Sequence, residues 1–274
     1  MMRNSIAFLL LMSATTIITG CQPLPFMESP KSSAQTQMVT GHQQVGPFTA
    51  IVVDGPMDID LVSQPPMARS HRLEYVSSRE TAGLLVASVD NGTLYLRNMA
   101  KILVKGEPRP RIIVPVGELR SLNYNGSGVL TGRQIRTPNL TTLNAHGGII
   151  SLSGSNIPLR SIMVSGGGNV SISGIKTPRT LTVRGKDTSR ITLTGTAQAI
   201  EVILSLYSWL DARSLRAENG FVNTAENARA DVNVRHSLNA FATGNSNIYY
   251  HQQQPELLSK YLRHASSVLY FQEN

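Results

Sequence analysis

The chain has 274 residues, 41% of them hydrophobic, enough to bury one large core or two small ones. Its 25 lysines and arginines against 17 acids give a formal charge of +8, yet only 15% of residues are charged. No Lys/Arg run follows a phosphate backbone, so no nucleic-acid partner is expected. The single cysteine, Cys21, excludes an internal disulfide framework.

The chain opens on MMRNSIAFLLLMSATTIITGC: Arg3, an apolar stretch from Ile6 to Met12, and small residues at the end, which is the layout of an export signal. The stretch is too short, and too polar after Met12, to span a membrane. Ile18-Thr19-Gly20-Cys21 resembles the lipobox of bacterial lipoproteins. That resemblance implies cleavage before Cys21, a thioether-linked diacylglycerol on its sulfur and an acyl chain on the freed amine. Three chains at about 0.8 kcal/mol per buried methylene make such an anchor nearly permanent. Gln22 at the next position implies, by the enterobacterial sorting rule, the outer membrane. Residues 1–20 are thus expected as a lipoprotein signal peptide, with the membrane as partner of a lipidated Cys21.

Residues 21–45 are rich in Gln, Ser and Pro without a hydrophobic period, and are expected as a flexible tether. About 24 such residues reach roughly 25–30 Å.

From Pro47 onward short apolar alternations dominate: FTAIVVDG, MDIDLV, HRLEYV, GLLVASVD, TLYLRN, RIIVPV. Each has the length of a strand, and most are bounded by Gly, Pro, Asn or Asp. Abundant Gly, Ser, Thr and Asn agree with β structure and turns.

A repeat then sets in. LRSLNYNGSGVLTG from Leu119, LTTLNAHGGIISLSG from Leu140, LRSIMVSGGGNVSISG from Leu159 and RTLTVRGKDTSRITLTG from Arg179 align. Pro138, Pro158 and Pro178 recur, as do Leu122, Leu143, Ile162, Leu181 and Ile200, so that Ile162 and Leu181 are expected to stack as interior neighbours. Within a unit, Ile162 with Val164 and Val170 with Ile172 form inward pairs, and Gly166–Gly168 turn the chain between them. GGGN at Gly166 lacks the Lys-Ser/Thr of a phosphate loop and reads as a corner. Eroded units continue through AIEVILSLYSWLDA, Val222, Val232, Leu238 and Ile248. The reading is an all-β chain, a right-handed parallel β-helix of about seven rungs over residues 46–274. A leucine-rich repeat fits less well, because its asparagine ladder is absent. A short helix from Pro255 to about Arg263 and a last strand, SSVLYF, are expected as a C-terminal cap.

FTAIVVDGPMDIDLVSQPP followed by LLVASVDNGTLYLR resembles the opening of the autotransporter adhesin head domain known as the GIN domain, a domain of unknown function. Phe48, Ile51, Val53, Gly55, Asp58 and Leu61 match that opening, and Asn91, Gly92 and Leu94 match its hairpin. The late NIYYHQQQP and SSVLYF resemble its closing coil. The resemblance covers roughly residues 46–272; it implies glycine-rich β-helical coils and carries no catalytic residue.

Candidate sites are few. Asp58 and Asp60 share a strand face with no third acid or histidine tied to them. The six histidines show no metal-ligand spacing, and no cofactor is expected. Asp187 with Lys186, Arg184, Arg190 and, from the next rung, Glu201 is the one cluster comparable to a glycan-cleaving site, and its acid count is low. Arg120, Arg160 and Arg179 are expected at equivalent rung positions, forming with Arg136, Arg184 and Arg190 a basic stripe suited to anionic glycans or lipopolysaccharide. Tyr207 and Trp209 alternate with Leu206 and Leu210, which predicts the aromatics outside and the leucines inside. The functional expectation is a non-catalytic, adhesin-like binding module of the envelope. The alternative is an envelope structural or assembly factor bound to another protein, and the remote one a glycan-cleaving enzyme.

Overall fold

The computed structural model describes residues 37–65, 71–100 and 107–271. The expected signal peptide and Cys21 lie outside these residues. Thr36–Asn274 forms one compact unit.

The strands are β1 (Met38–Val45), β2 (Ala50–Asp54), β3 (Asp58–Ser63), β4 (His71–Ser78), β5 (Leu85–Asp90), β6 (Thr93–Asn98), β7 (Arg111–Val116), β8 (Ser121–Asn125), β9 (Val129–Ile135), β10 (Thr142–His146), β11 (Ile149–Ile157) and β12 (Ser161–Ser165). They continue as β13 (Asn169–Gly185), β14 (Arg190–Leu204), β15 (Trp209–Thr224), β16 (Arg229–Ala242), β17 (Asn247–His251), β18 (Leu257–Leu262) and β19 (Ser267–Phe271). One four-residue helix, α1 (Arg79–Ala82), is capped by the Ser78 hydroxyl.

The fold is a parallel β-solenoid of about eight turns. Two long faces run along it. The first is built from β3, β7, β9, β11, the opening strands of β13 to β16, then β17 and β19. The second is built from β2, β6, β8, β10, β12, the closing strands of β13 to β16, then β18. Alternation along each strand sends every second side chain inward. On the first face Leu130, Ile150, Val170, Ile191, Leu210, Ala230, Ile248 and Val268 stack in register. On the second, Leu122, Leu143, Ile162, Val183, Val202, Val222 and Ala240 do the same, and all are buried. Each fully buried aliphatic side chain contributes about 1.5–3 kcal/mol, so the stack itself is the core.

The register corrects the expected repeat. Ile162 and Leu181 are both interior, but the ladder partner of Ile162 is Val183. A shift of two residues keeps every side chain on its own face, so alternation cannot distinguish the two registers. The turn decides: Lys186 N–H bonds Val164 O and Arg190 N–H bonds Gly168 O, which aligns Lys186–Ser189 with the turn at Gly166–Gly168. Gly166 and Gly167 take φ of +61° and +73°. In later turns the closing glycine gives way to a small buried residue, Ser189, Ser208, Ala228 and Ser246 in succession. The Ser208 hydroxyl donates to Gly185 O and that of Ser246 to Thr224 O.

Three further expectations change at the ends. Met38–Val45, expected in the tether, is β1, paired antiparallel with β4 along its whole length. Its polar residues sit there because Val45 is buried, Tyr75 covers Gly41, and Gln43 Nε2 donates to Ala87 O. The helix expected from Pro255 is instead β18, because Leu258, Lys260 and Leu262 stack on Leu238, Ala240 and Ala242. With β19 it forms the last turn, the one that the seven-rung expectation lacked. Lys260 therefore occupies an inward position on an edge strand, donating from Nζ to Val268 O at 3.0 Å. An inward charge of this kind blunts an open sheet edge. At the other end β4 lies antiparallel on β7 and β5 on β6.

Candidate functional site

The outward side chains of the first face form two parallel rows. One runs Asn169, Arg190, Trp209, Arg229, Asn247; the other Ser171, Thr192, Asp211, Asp231, Tyr249. Successive members are one strand spacing apart, about 4.8 Å. Their inward neighbours Ile191, Leu210, Ala230 and Ile248 are buried, which fixes the outward direction of the rows.

Arg229 is the centre of this surface. Its guanidinium lies 4.6 Å from the Tyr249 ring centroid and 5.7 Å from that of Trp209, within cation–π range of both. Asp231 lies beneath it and accepts from Arg229 Nε at 2.7 Å, Arg229 Nη2 at 2.9 Å, Trp209 Nε1 at 3.1 Å and His251 Nε2 at 2.9 Å. Burial alone would raise the Asp231 carboxyl, but the bonds from Arg229, His251 and Trp209 outweigh it and hold the group below the usual carboxylate range. Asp211, next in the row, is lowered by its bonds from Arg213 Nε and Nη2 against an opposing effect of burial. Asp231 in turn raises Arg229. The result is a fixed, ionised, aromatic-flanked cation on a sheet face, with the Arg229 side chain 47% exposed.

The expected site residues are only partly brought together. Arg190 and Trp209 are ladder neighbours and belong to this surface. Tyr207 stands two residues before Trp209 at the tip of the turn, with φ of +62°. Leu206 shares that exposed tip, so it is not the inward leucine; Leu204 is. The basic stripe does not form. Arg120 and Arg160 flank Thr141 in one row, but the two-residue shift puts buried Leu181 where Arg179 was expected. Arg184 faces outward on the second face, in the row of Met163 and Ile203.

The Asp187 carboxylate accepts from Gly166 N–H at 2.9 Å. Glu201 accepts from the Thr182 hydroxyl at 3.0 Å. Asp58 accepts from Val129 N–H, and Asp60 from Arg111 and Thr131, so each acid serves its neighbours on adjacent turns.

Sequence reasoning missed Arg229, Asp231, Tyr249 and His251. Their signal is the step from Trp209-x-Asp211 to Arg229-x-Asp231 and on to Asn247-x-Tyr249-x-His251, one coil apart each time.

The family model described as "Putative auto-transporter adhesin, head GIN domain" matches residues 47–253. The chain belongs to the GIN-domain family. No curated protein matches it. A "putative lipid binding protein" from Parabacteroides distasonis is 18% identical and superposes on this GIN domain with a TM-score of 0.69, covering 85% of this chain and 96% of its own. A "putative adhesin" from Parabacteroides merdae is 14% identical, with a TM-score of 0.64 over 86% of this chain and 96% of its own. Another, from Bacteroides fragilis, is 18% identical, with a TM-score of 0.58 over 86% and 97%. At these identities the likeness carries the fold. The GIN-domain match confirms the resemblance of the opening and hairpin motifs, and its adhesin description fits a non-catalytic binding module.

Proposed function

We propose that this GIN-domain protein is an exported, lipid-anchored binding module of the cell envelope that recognises an anionic glycan through Arg229 and its flanking rings. The carrying observation is the guanidinium held between Trp209 and Tyr249 by a buried carboxylate. Such a group loses little side-chain freedom on binding, and it offers a charge to acidic groups and ring faces to sugar carbons. Arg190, next to Trp209 and two strands from Arg229, adds a second cation. The lipobox at Cys21 supports anchoring, and Gln22 supports the outer membrane.

A glycan array probed with the mature protein tests the ligand. Binding to acidic glycans is expected to fall at least tenfold, about 1.4 kcal/mol, in Arg190→Ala combined with Trp209→Phe; equal binding by the variant rejects this surface. Labelled palmitate is expected to enter the wild-type chain and not Cys21→Ser, and labelling of neither rejects the anchor.

A second reading, an envelope assembly factor, draws on the second face. Phe241 and Tyr261 are outward ladder partners there and Phe221 joins them diagonally, with successive centroids 5.2 and 5.8 Å apart. Aromatic clusters of this kind suit a protein partner. Capture of one envelope protein, lost in Phe221→Ser with Tyr261→Ser, favours it over the glycan.

A further inference from the structure

Beside the Arg229 surface, at the end of the first face, lies a cavity of about 550 Å³, within the size range of small-molecule sites. One wall is polar: Thr192, Ser214 and the paired side chains of Asp211 and Arg213. The lining also holds two aromatic rings, Tyr270 and Phe271 of the last strand. Arg213 and Ser214 reach this position because the pairing of β15 with β16 slips between Ala212 and Arg216, leaving both without a β16 partner while Ser214 still pairs with Thr194 of β14.

His251 also lines the cavity, with its side chain only 4% exposed. Nε2 is bonded to the Asp231 carboxylate, whereas Nδ1 is buried and has no hydrogen-bond partner among the described residues. Buried polar atoms are almost always paired, and an exception marks a site that awaits a partner. Because Nε2 faces the Asp231 carboxylate, Nδ1 is the ring nitrogen left to pair. A hydroxyl, which both donates and accepts, suits Nδ1 in either role. A polyhydroxylated ring matches the whole enclosure: its hydroxyls face Thr192, Ser214 and the Asp211–Arg213 pair, and its carbon face lies on Tyr270 and Phe271.

Resting on the glycan-binding reading, we propose that this cavity is a saccharide subsite for one or two pyranose units, in which a sugar hydroxyl hydrogen-bonds His251 Nδ1. Phe271, whose ring centroid is 5.2 Å from that of His251 at the exposed edge of the last turn, is the group that shifts as the sugar seats.

The test is NMR titration of the mature protein with the methyl glycosides of glucose, galactose, mannose and N-acetylglucosamine. At least one is expected to bind at millimolar concentration and to move the His251 ring resonances. Ser214→Trp, which fills the cavity from its exposed rim and replaces none of the residues bonded to Asp231, is expected to weaken that glycoside at least tenfold. His251→Phe is expected to do the same, and Ser214→Trp keeps the test valid should His251→Phe not fold. No shift at His251 with any glycoside, or unchanged affinity in Ser214→Trp, overturns the subsite. If the acidic glycans of the array still bind, the proposed function survives that result; if they too fail, both fall.

Discussion

Asp231, with a side chain only 2% exposed, receives two hydrogen bonds from Arg229, whose own side chain is 47% exposed. The pair is therefore asymmetric. Arg229→Met leaves a buried carboxylate without its main counter-charge and is expected to cost about 3–5 kcal/mol. Asp231→Asn keeps the shape and an acceptor, frees a guanidinium that reaches water, and is expected to cost only about 1–2 kcal/mol. Urea denaturation of both variants checks the order. Equal costs would mean that the carboxylate is less confined than its burial indicates.

The same acids set the acid limit of stability. Asp211 and Asp231 both lie below the ordinary value of 3.8 in the folded protein. As pH falls the unfolded chain takes up these protons first. The stability the two acids contribute is thus fully present above about pH 4 and lost as pH drops through the folded values. Urea midpoints measured from roughly pH 5 to pH 2 are expected to fall, and to fall less steeply in Asp231→Asn. Parallel slopes for the two proteins would contradict this.

His71 gives a separate window near neutrality. Burial, partly opposed by a hydrogen bond with Pro115, lowers its ring from 6.5, and the ring packs 4.6 Å from Phe48 while Nδ1 meets Gln64 at 2.8 Å. A lowered histidine stabilises the fold above its unfolded value and ceases to as pH falls through the folded one. Thermal melts are expected to drop between pH 7 and pH 5 in the wild type, and His71→Asn to remove that drop, roughly the window of one such group. A drop that persists unchanged assigns it elsewhere.

How much of this the sequence disclosed depends on the kind of information each feature needs. The inward pairs Val170 with Ile172 and Ile191 with Leu193 are visible because alternation is local. The partner of Ile162 is not, because a slip of two residues leaves alternation intact and only the turn hydrogen bonds distinguish Val183 from Leu181. β18 misleads for a related reason. Leu257, Leu258, Tyr261 and Leu262 have helical spacing, and stacking on β16 overrides it. The outward position of Trp209 is legible from its alternation with Leu210, whereas the Asp231 network joins residues from three turns that become neighbours only once the coil length is correct.

The corner glycines offer the sharpest check on that coil. Gly174 has φ of +83°, and a Cβ there would stand 1.8 Å from the carbonyl oxygen of Gly154 on the turn below. The obstacle is backbone held by its own ladder, which no rotamer change relieves, and the positive φ adds strain of its own. Gly174→Ala is therefore expected to cost roughly 2–4 kcal/mol. Gly46, just after β1, has nothing within 4 Å of the equivalent position, and Gly46→Ala is expected to stay within about 0.5 kcal/mol of wild type. Denaturation midpoints of the two variants measure the contrast. A tolerated Gly174→Ala would show that successive turns are not pressed together at this corner, and the close stacking of Gly154 beneath Gly174 would have to be abandoned.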